Sequence, residues 1–412
     1  MTTTADEKRN YRAFLWHAGF LALTITFTDI NTIMPSLIVK AGGTEVHLGI
    51  LTAVMIGTPI LGELLFASYL YLKPRKKTFL LLGINTRVLL LIIFAALLRY
   101  GDSFSGMMLI ALIIVLMLLF SVAGTFAGIS YTDILGKSIT GTLRQRYFVR
   151  RQVITSSAFL LSALAARHIL VSFAWPDNYF VLFALAAGLL FVASLGFWVI
   201  RERPVQAAGS RRGFLHVLQS IPATLRQNPG LKNYIIMNNL TGFGLALLPF
   251  YISLAKQSYG LTGEQVGAYL LLQYAGMIIS NVLWARVVRM KQFQGVSKGC
   301  VLIGAALPVV ALGLSHLSFI AFLPVFFFMG FSLSARRIGF DGLFLEITDD
   351  ENRALHKGIV GATSLTVAFF PLLAGWLITR VGFVPVFLFS SLMIASSYFA
   401  LNAICTSTSK QP

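Results

Sequence analysis

Apolar runs of about 18–27 residues, separated by short polar and basic segments, recur along the whole chain. A hydrocarbon core of ~30 Å takes about 20 helical residues to cross. On that measure the pattern predicts spans at 14–36, 47–71, 78–100, 105–131, 149–173, 179–200, 231–253, 265–287, 297–315, 317–340, 358–379 and 382–404. The ninth and tenth are separated only around His316. The runs are continuous rather than alternating, which predicts helices and excludes a β-barrel. Residues 1–12 are polar and no small-residue cleavage site follows the first run, so that run is read as a retained span.

Composition agrees: 57% of residues are hydrophobic and 12% charged, with a mean hydropathy of +0.79. A water-soluble chain of 412 residues with that balance lacks the polar groups to cover its surface. Charge then supplies orientation. Of the 33 lysines and arginines, 27 fall on the side of the N-terminus. Five (Lys40, Arg99, Arg167, Lys256, Arg380) fall on the other side, and Arg87 lies within a span. The positive-inside rule puts both termini in the cytoplasm of a multi-pass plasma (inner) membrane protein. The net charge of +18 is thereby accounted for by topology and anionic headgroups, without nucleic acid. Trp16, Trp175, Trp198, Trp284 and Trp376 all fall near span ends, as interfacial tryptophans do.

The longest polar interruption, 201–230, divides the chain into six spans and six: an N-terminal bundle over 1–200, a linker over 201–230 and a C-terminal bundle over 231–412. Phe214, Leu215, Val217, Leu218 and Ile221 share one face of a helix in the linker, with Arg211, Arg212 and Arg226 nearby, the pattern of a helix lying on a membrane surface. The halves echo each other. Pro35 and Gly49 bracket the first loop as Pro249 and Gly267 bracket the seventh, and Ile129 to Arg144 matches Ile338 to Arg353 in spacing. A duplicated six-helix unit follows.

On the 6+6 pattern, the basic central linker and the loop between spans two and three, the chain resembles the major facilitator superfamily. In that loop, ASYLYLKPRKK, Arg75, Lys76 and Lys77 match the family motif, while Ala67, Tyr71 and Leu72 depart from it. The fourth span has no Lys or Arg, and the fifth lacks the glycine- and proline-rich signature of drug antiporters, so the drug-efflux branch is not indicated. The resemblance implies an all-α polytopic fold of 12 transmembrane helices in two pseudo-symmetric bundles. It also implies that spans 1, 4, 7 and 10 line a central cavity.

Ionisable and amide groups within a bilayer are functional candidates, set against hydrogen-bonded scaffolding. Asp29 lies about nine residues, or ~13 Å, from the outer end of span one, a candidate for proton coupling or for holding Thr28, Asn31 or Thr32. Glu63 and Arg87 fall at equal depth in one hairpin and read as a structural ion pair or a gate. Asp133 and Arg150 flank the next inner loop as a second candidate pair. Asn238, Asn239 and Gln273 are candidate solute contacts or interhelical hydrogen-bond donors. Arg336 favours an anion if it faces the cavity, while Arg337 is set to pair with Asp341 one turn on. Gly124 and Gly128, with Gly330, Ser332 and Ser334, read as small-residue contacts where the halves rock.

No P-loop, cofactor motif or metal-ligand spacing occurs, and the six histidines, Cys300 and Cys405 are scattered. The function expected is therefore a monomeric, proton-coupled secondary transporter of a small organic or amphipathic solute, and not an enzyme. A lipid or lysolipid flippase of the same fold is the alternative, ahead of a membrane-embedded lipid-modifying enzyme.

Overall fold

The computed structural model describes residues 4–71, 73–139, 141–202, 214–348 and 353–408. Within these the chain is helical. The first part runs α1 (Thr4–Phe27), α2 (Ile33–Lys40), α3 (Glu45–Thr52), α4 (Thr58–Tyr71), α5 (Lys77–Arg99), α6 (Gly106–Ser138), α7 (Gly141–Ser172) and α8 (Asp177–Val199). After α9 (Phe214–Gln227) come α10 (Pro229–Leu247), α11 (Phe250–Tyr259), α12 (Gly263–Leu314), α13 (Phe319–Phe322) and α14 (Pro324–Glu346). The chain closes with α15 (Arg353–Thr363), α16 (Leu365–Val381) and α17 (Phe383–Thr408).

Ten segments among the described residues are long and apolar enough to cross a membrane, which makes this a multi-pass membrane protein. The longest, α12, has 52 residues, about 78 Å at 1.5 Å per residue and more than twice a bilayer core. It is interrupted at Lys291 and Gln292, whose backbone leaves the helical region, with Gln292 at φ 53°. The apolar runs at 265–287 and 297–315 flank that break. The narrow gap at His316 is likewise a real boundary, with α13 opening at Ser318, whose hydroxyl caps Ala321.

Several spans are built from two pieces. Residues 28–32 leave the helix between α1 and α2, and Leu248 and Pro249 separate α10 from α11. A π-helical turn at Ala53–Gly57 joins α3 to α4, and Ser364 parts α15 from α16. Such breaks free backbone groups that a bilayer cannot satisfy, so side chains must. α9 rests on the C-terminal part through Ile221 and Leu225. Arg211 and Arg212 lie outside the described residues.

Contacts between the N- and C-terminal halves concentrate at the ends of the helices away from the chain termini. There α3 packs against α16, and α7 against α12. Glycines permit the approach: a Cβ on Gly49 would collide with the Pro371 carbonyl, and one on Gly267 would press on Arg167. These two glycines are the pair that the internal repeat sets in register. The duplication therefore appears as two matching seams.

Candidate functional site

A cavity of about 410 Å³ lies toward the terminal ends of the helices. Its walls come from α1 (His17, Leu21, Ile25), α5 (Ile84, Arg87), α6 (Gly124, Gly128, Tyr131), α7 (Phe148, Arg151, Gln152, Thr155, Phe159) and α8 (Phe197). Arg337 on α14 is its contribution from the C-terminal half. A second cavity of about 340 Å³ lies between Tyr234, Asn238, Arg336, Arg337 and Lys357, so Arg337 belongs to both. Of the four spans expected to line the main cavity, the first, fourth and tenth do so. The seventh lines the second cavity instead.

Arg87 is held by packing rather than by an acid among the described residues. Its guanidinium lies over the Phe120 ring at 4.0 Å, Gly124 leaves room beside it, and its Nε has no hydrogen-bond partner among the described residues. The side chain of Glu63 lies outside the described residues, so the expected Glu63–Arg87 pair does too. The glycine pair on α6 also has another use than the helix packing expected of it. Gly124 makes space for Arg87, and around Gly128 nothing stands within 4 Å of where a Cβ would be. Gly330 does make a close helix contact, on the backbone of Gln273, but this lies within the C-terminal half.

Hydropathy alone puts Arg151 at a span end. Helix α7 begins at Gly141, so Arg151 sits ten residues in, about 15 Å along the axis. That depth carries it into the cavity. His17 is buried, its Nδ1 3.3 Å from the Ala193 carbonyl and its ring 4.0 Å from that of Phe197.

Arg336 and Arg337 both depart from the roles expected of them. Arg336 donates to the Thr241 hydroxyl at 2.5 Å and to Asn238 Oδ1 at 2.7 Å, with its guanidinium over Phe340 at 4.5 Å. It ties α14 to α10. Arg337 forms no salt bridge with Asp341, whose ionic partner among the described residues is Lys357 at 3.9 Å; both border the second cavity, and Arg337 also reaches the main one.

The amides satisfy broken helices. Asn239 donates to the Ile235 and Thr363 carbonyls and accepts from Thr366 N–H, across the break between α15 and α16. Asn238 donates to the Ser364 hydroxyl at 3.0 Å. Neither Asn239 nor Gln273 lines the main cavity.

Asp29 sits in the break of the first span, 5% exposed. Its Oδ1 accepts from the backbone N–H of Asn31 (3.0 Å) and Thr32 (2.8 Å). Its Oδ2 accepts from Gln273 Nε2 (3.1 Å) and the Tyr274 hydroxyl (3.0 Å), both on α12. Thr32 also donates to Gln273 Oε1 at 2.6 Å. The carboxylate thus closes the helix break and ties the two halves together in one step.

Asp133 and Arg150 are not partners. Asp133 takes Lys76 Nζ at 2.8 Å and Lys137 on its own helix, while the Arg150 guanidinium lies 5.9 Å from the Tyr11 ring. The loop between spans two and three is fastened further by Glu202, which accepts from the backbone N–H of Lys76 and Lys77. Lys77 Nζ in turn donates to the Trp198 and Ile200 carbonyls at 2.7 Å. The retained basic residues therefore hold α5, α6 and α8 together on the terminal side.

No family model matches the sequence, and no curated protein sequence does. The three-dimensional comparison is extensive: 279 chains of solved structures match. A mutant form of the nucleoside transporter NupG superposes with a TM-score of 0.71 at 13% identity, over 96% of this chain and 99% of that one. A D-xylose–proton symporter gives 0.68 at 12%, over 95% and 96%. The human organic anion transporter MFSD10 (TETRAN) gives 0.62 at 14%, over 96% and 99%. The fold is that of major facilitator superfamily transporters, as the sequence resemblance implies.

Proposed function

We propose that this protein is a secondary transporter that moves a small organic solute by alternating access between two six-helix bundles, 1–200 and 231–412, joined by a linker at 201–230. The observation that carries this reading is the asymmetry of the seam. The halves close on each other at one face through Gly49 and Gly267, and part around a cavity at the other. A carrier caught with one gate shut has that form. Twelve crossings are the reading that suits the chain: α1 with α2 forms the first, and the break at Lys291–Gln292 divides α12 into two. With the basic residues inside, the open side faces the cytoplasm of the plasma (inner) membrane, and the protein works as a monomer.

Asp29 supports proton coupling. All four of its neighbours donate to it, so the arrangement uses the acceptor capacity of a carboxylate. A proton on Oδ2 would compete with Gln273 and Tyr274 and loosen the tie between halves. Uptake of a proton from the outer side is thereby linked to opening that side. Asp29→Asn keeps an acceptor for the backbone amides and loses the one for Gln273 and Tyr274.

The test is solute-driven current and counterflow in proteoliposomes at several pH values, with wild type beside Asp29→Asn. Current that follows the proton gradient in wild type, with pH-independent exchange in Asp29→Asn, is the expected result. Exchange with unchanged pH dependence in Asp29→Asn removes proton coupling through this residue. Lipid scrambling without solute exchange would replace solute transport by the flippase function.

A further inference from the structure

Resting on the transporter reading, we propose that the main cavity is an organic-anion site, in which Arg87, Arg151 and Arg337 receive a carboxylate or phosphate head and the apolar wall takes the body attached to it. Three guanidinium side chains and no carboxylate line this cavity among the described residues. Like charges gathered in one water-accessible pocket repel each other, and a fold tolerates them where a counter-ion completes the set. Arg87 carries the most specific sign of this. It is enclosed by Phe120 and Gly124, and its Nε has no hydrogen-bond partner among the described residues. Guanidinium forks suit planar or tetrahedral oxyanions, which they bind through paired N–H groups.

The remaining wall decides the rest of the molecule. Leu21, Ile25, Ile84, Phe148 and Phe159 are apolar, and Gln152, Thr155 and Tyr131 offer a few neutral polar groups. A volume of about 410 Å³ suits a compact solute with one aromatic or aliphatic body. A sugar or a cation would leave Arg87 and Arg151 uncompensated, whereas Arg337 also borders the second cavity beside Asp341.

The charge of the cavity can be read without knowing the solute. In a Cys300→Ser, Cys405→Ser background, Gly128→Cys places a thiol where the structure has open space. Thr155→Cys gives a second position on the same wall. Each thiol is labelled with anionic sulfonatoethyl methanethiosulfonate and with its cationic trimethylammonioethyl analogue, both rates normalised to 2-mercaptoethanol. An anion preference of about tenfold or more is expected, falling several-fold in Arg87→Gln, Arg151→Gln or Arg337→Gln. Arg99→Gln, exposed beside Asp177, leaves the preference unchanged. Benzoate or phenyl phosphate is expected to slow labelling, and benzamide and phenol are not. Which of the two anions protects distinguishes a carboxylate from a phosphate head.

Equal normalised rates for the two reagents at both positions, or protection by benzamide as strong as by benzoate, overturn the assignment. Anion preference with no solute exchange in proteoliposomes keeps the site and removes the transporter. Exchange confined to neutral or cationic solutes keeps the transporter and removes the anion site.

Discussion

Neighbouring arginines on one helix show what residue-scale reading can and cannot reach. Successive positions on an α-helix point about 100° apart, so Arg336 and Arg337 meet different partners although both border the second cavity. The sequence singles out the doublet but carries no phase for α14, so it does not tell that Arg337 rather than Arg336 reaches the main cavity. The internal repeat holds a better signal: with Ile129 set against Ile338, Arg337 falls opposite Gly128, and both line the cavity. Because Arg336 works as a fork between Thr241 and Asn238, Arg336→Lys is expected to cost about 1–3 kcal/mol of stability in thermal denaturation. It should leave charge-selective labelling at position 128 as it was. Asp133→Asn weakens the ties to Lys76 and Lys137, both partly shielded from water, and should cost about 1–2 kcal/mol by the same measurement.

Elements were largely legible because hydrophobicity is a signal of length, and the spans follow from it. Where the chain departs from plain hydrophobic runs, it stopped being legible. Helix α7 starts eight residues before its apolar run, in the polar stretch GTLRQRYF, which hydropathy assigns to a loop. Arg151 is displaced to the membrane surface by that error. Breaks inside spans were equally hidden, since Asp29, Asn239 and Ser364 resemble isolated polar residues until the backbone they serve is seen. The seams between α3 and α16, and between α7 and α12, depend on the absence of a side chain at Gly49 and Gly267. Gly267→Leu should hold those helices apart and destabilise the closed face by about 1–3 kcal/mol. Expected with it is faster labelling of thiols placed along the α7–α12 seam; unchanged labelling would mean that the seam does not close the path.

On the scale of the whole molecule, Asp29 is where local structure and global state meet. Removing the carboxylate outright, as in Asp29→Ala, leaves two backbone N–H groups, an amide and a phenol without their acceptor. The expected loss is roughly 2–4 kcal/mol, seen as a lowered Tm in detergent. Asp29→Asn should lose less and shift the protein toward opening at the face away from the termini. Equal losses would make the carboxylate a simple helix-break cap.

Arg337 is carried by one half of the molecule, whereas Arg87 and Arg151 are carried by the other. If the halves rock as proposed, the field in the cavity is not a constant of the protein: it strengthens as they approach on the terminal side and weakens as they part. Under the proposed transport cycle, an empty carrier must bring a third positive charge toward two others to make the swing, and an occupied one brings its counter-ion along. Return journeys without cargo are the slow ones, so one-for-one exchange should outrun net efflux from the same vesicles. In Arg337→Gln the two rates should converge.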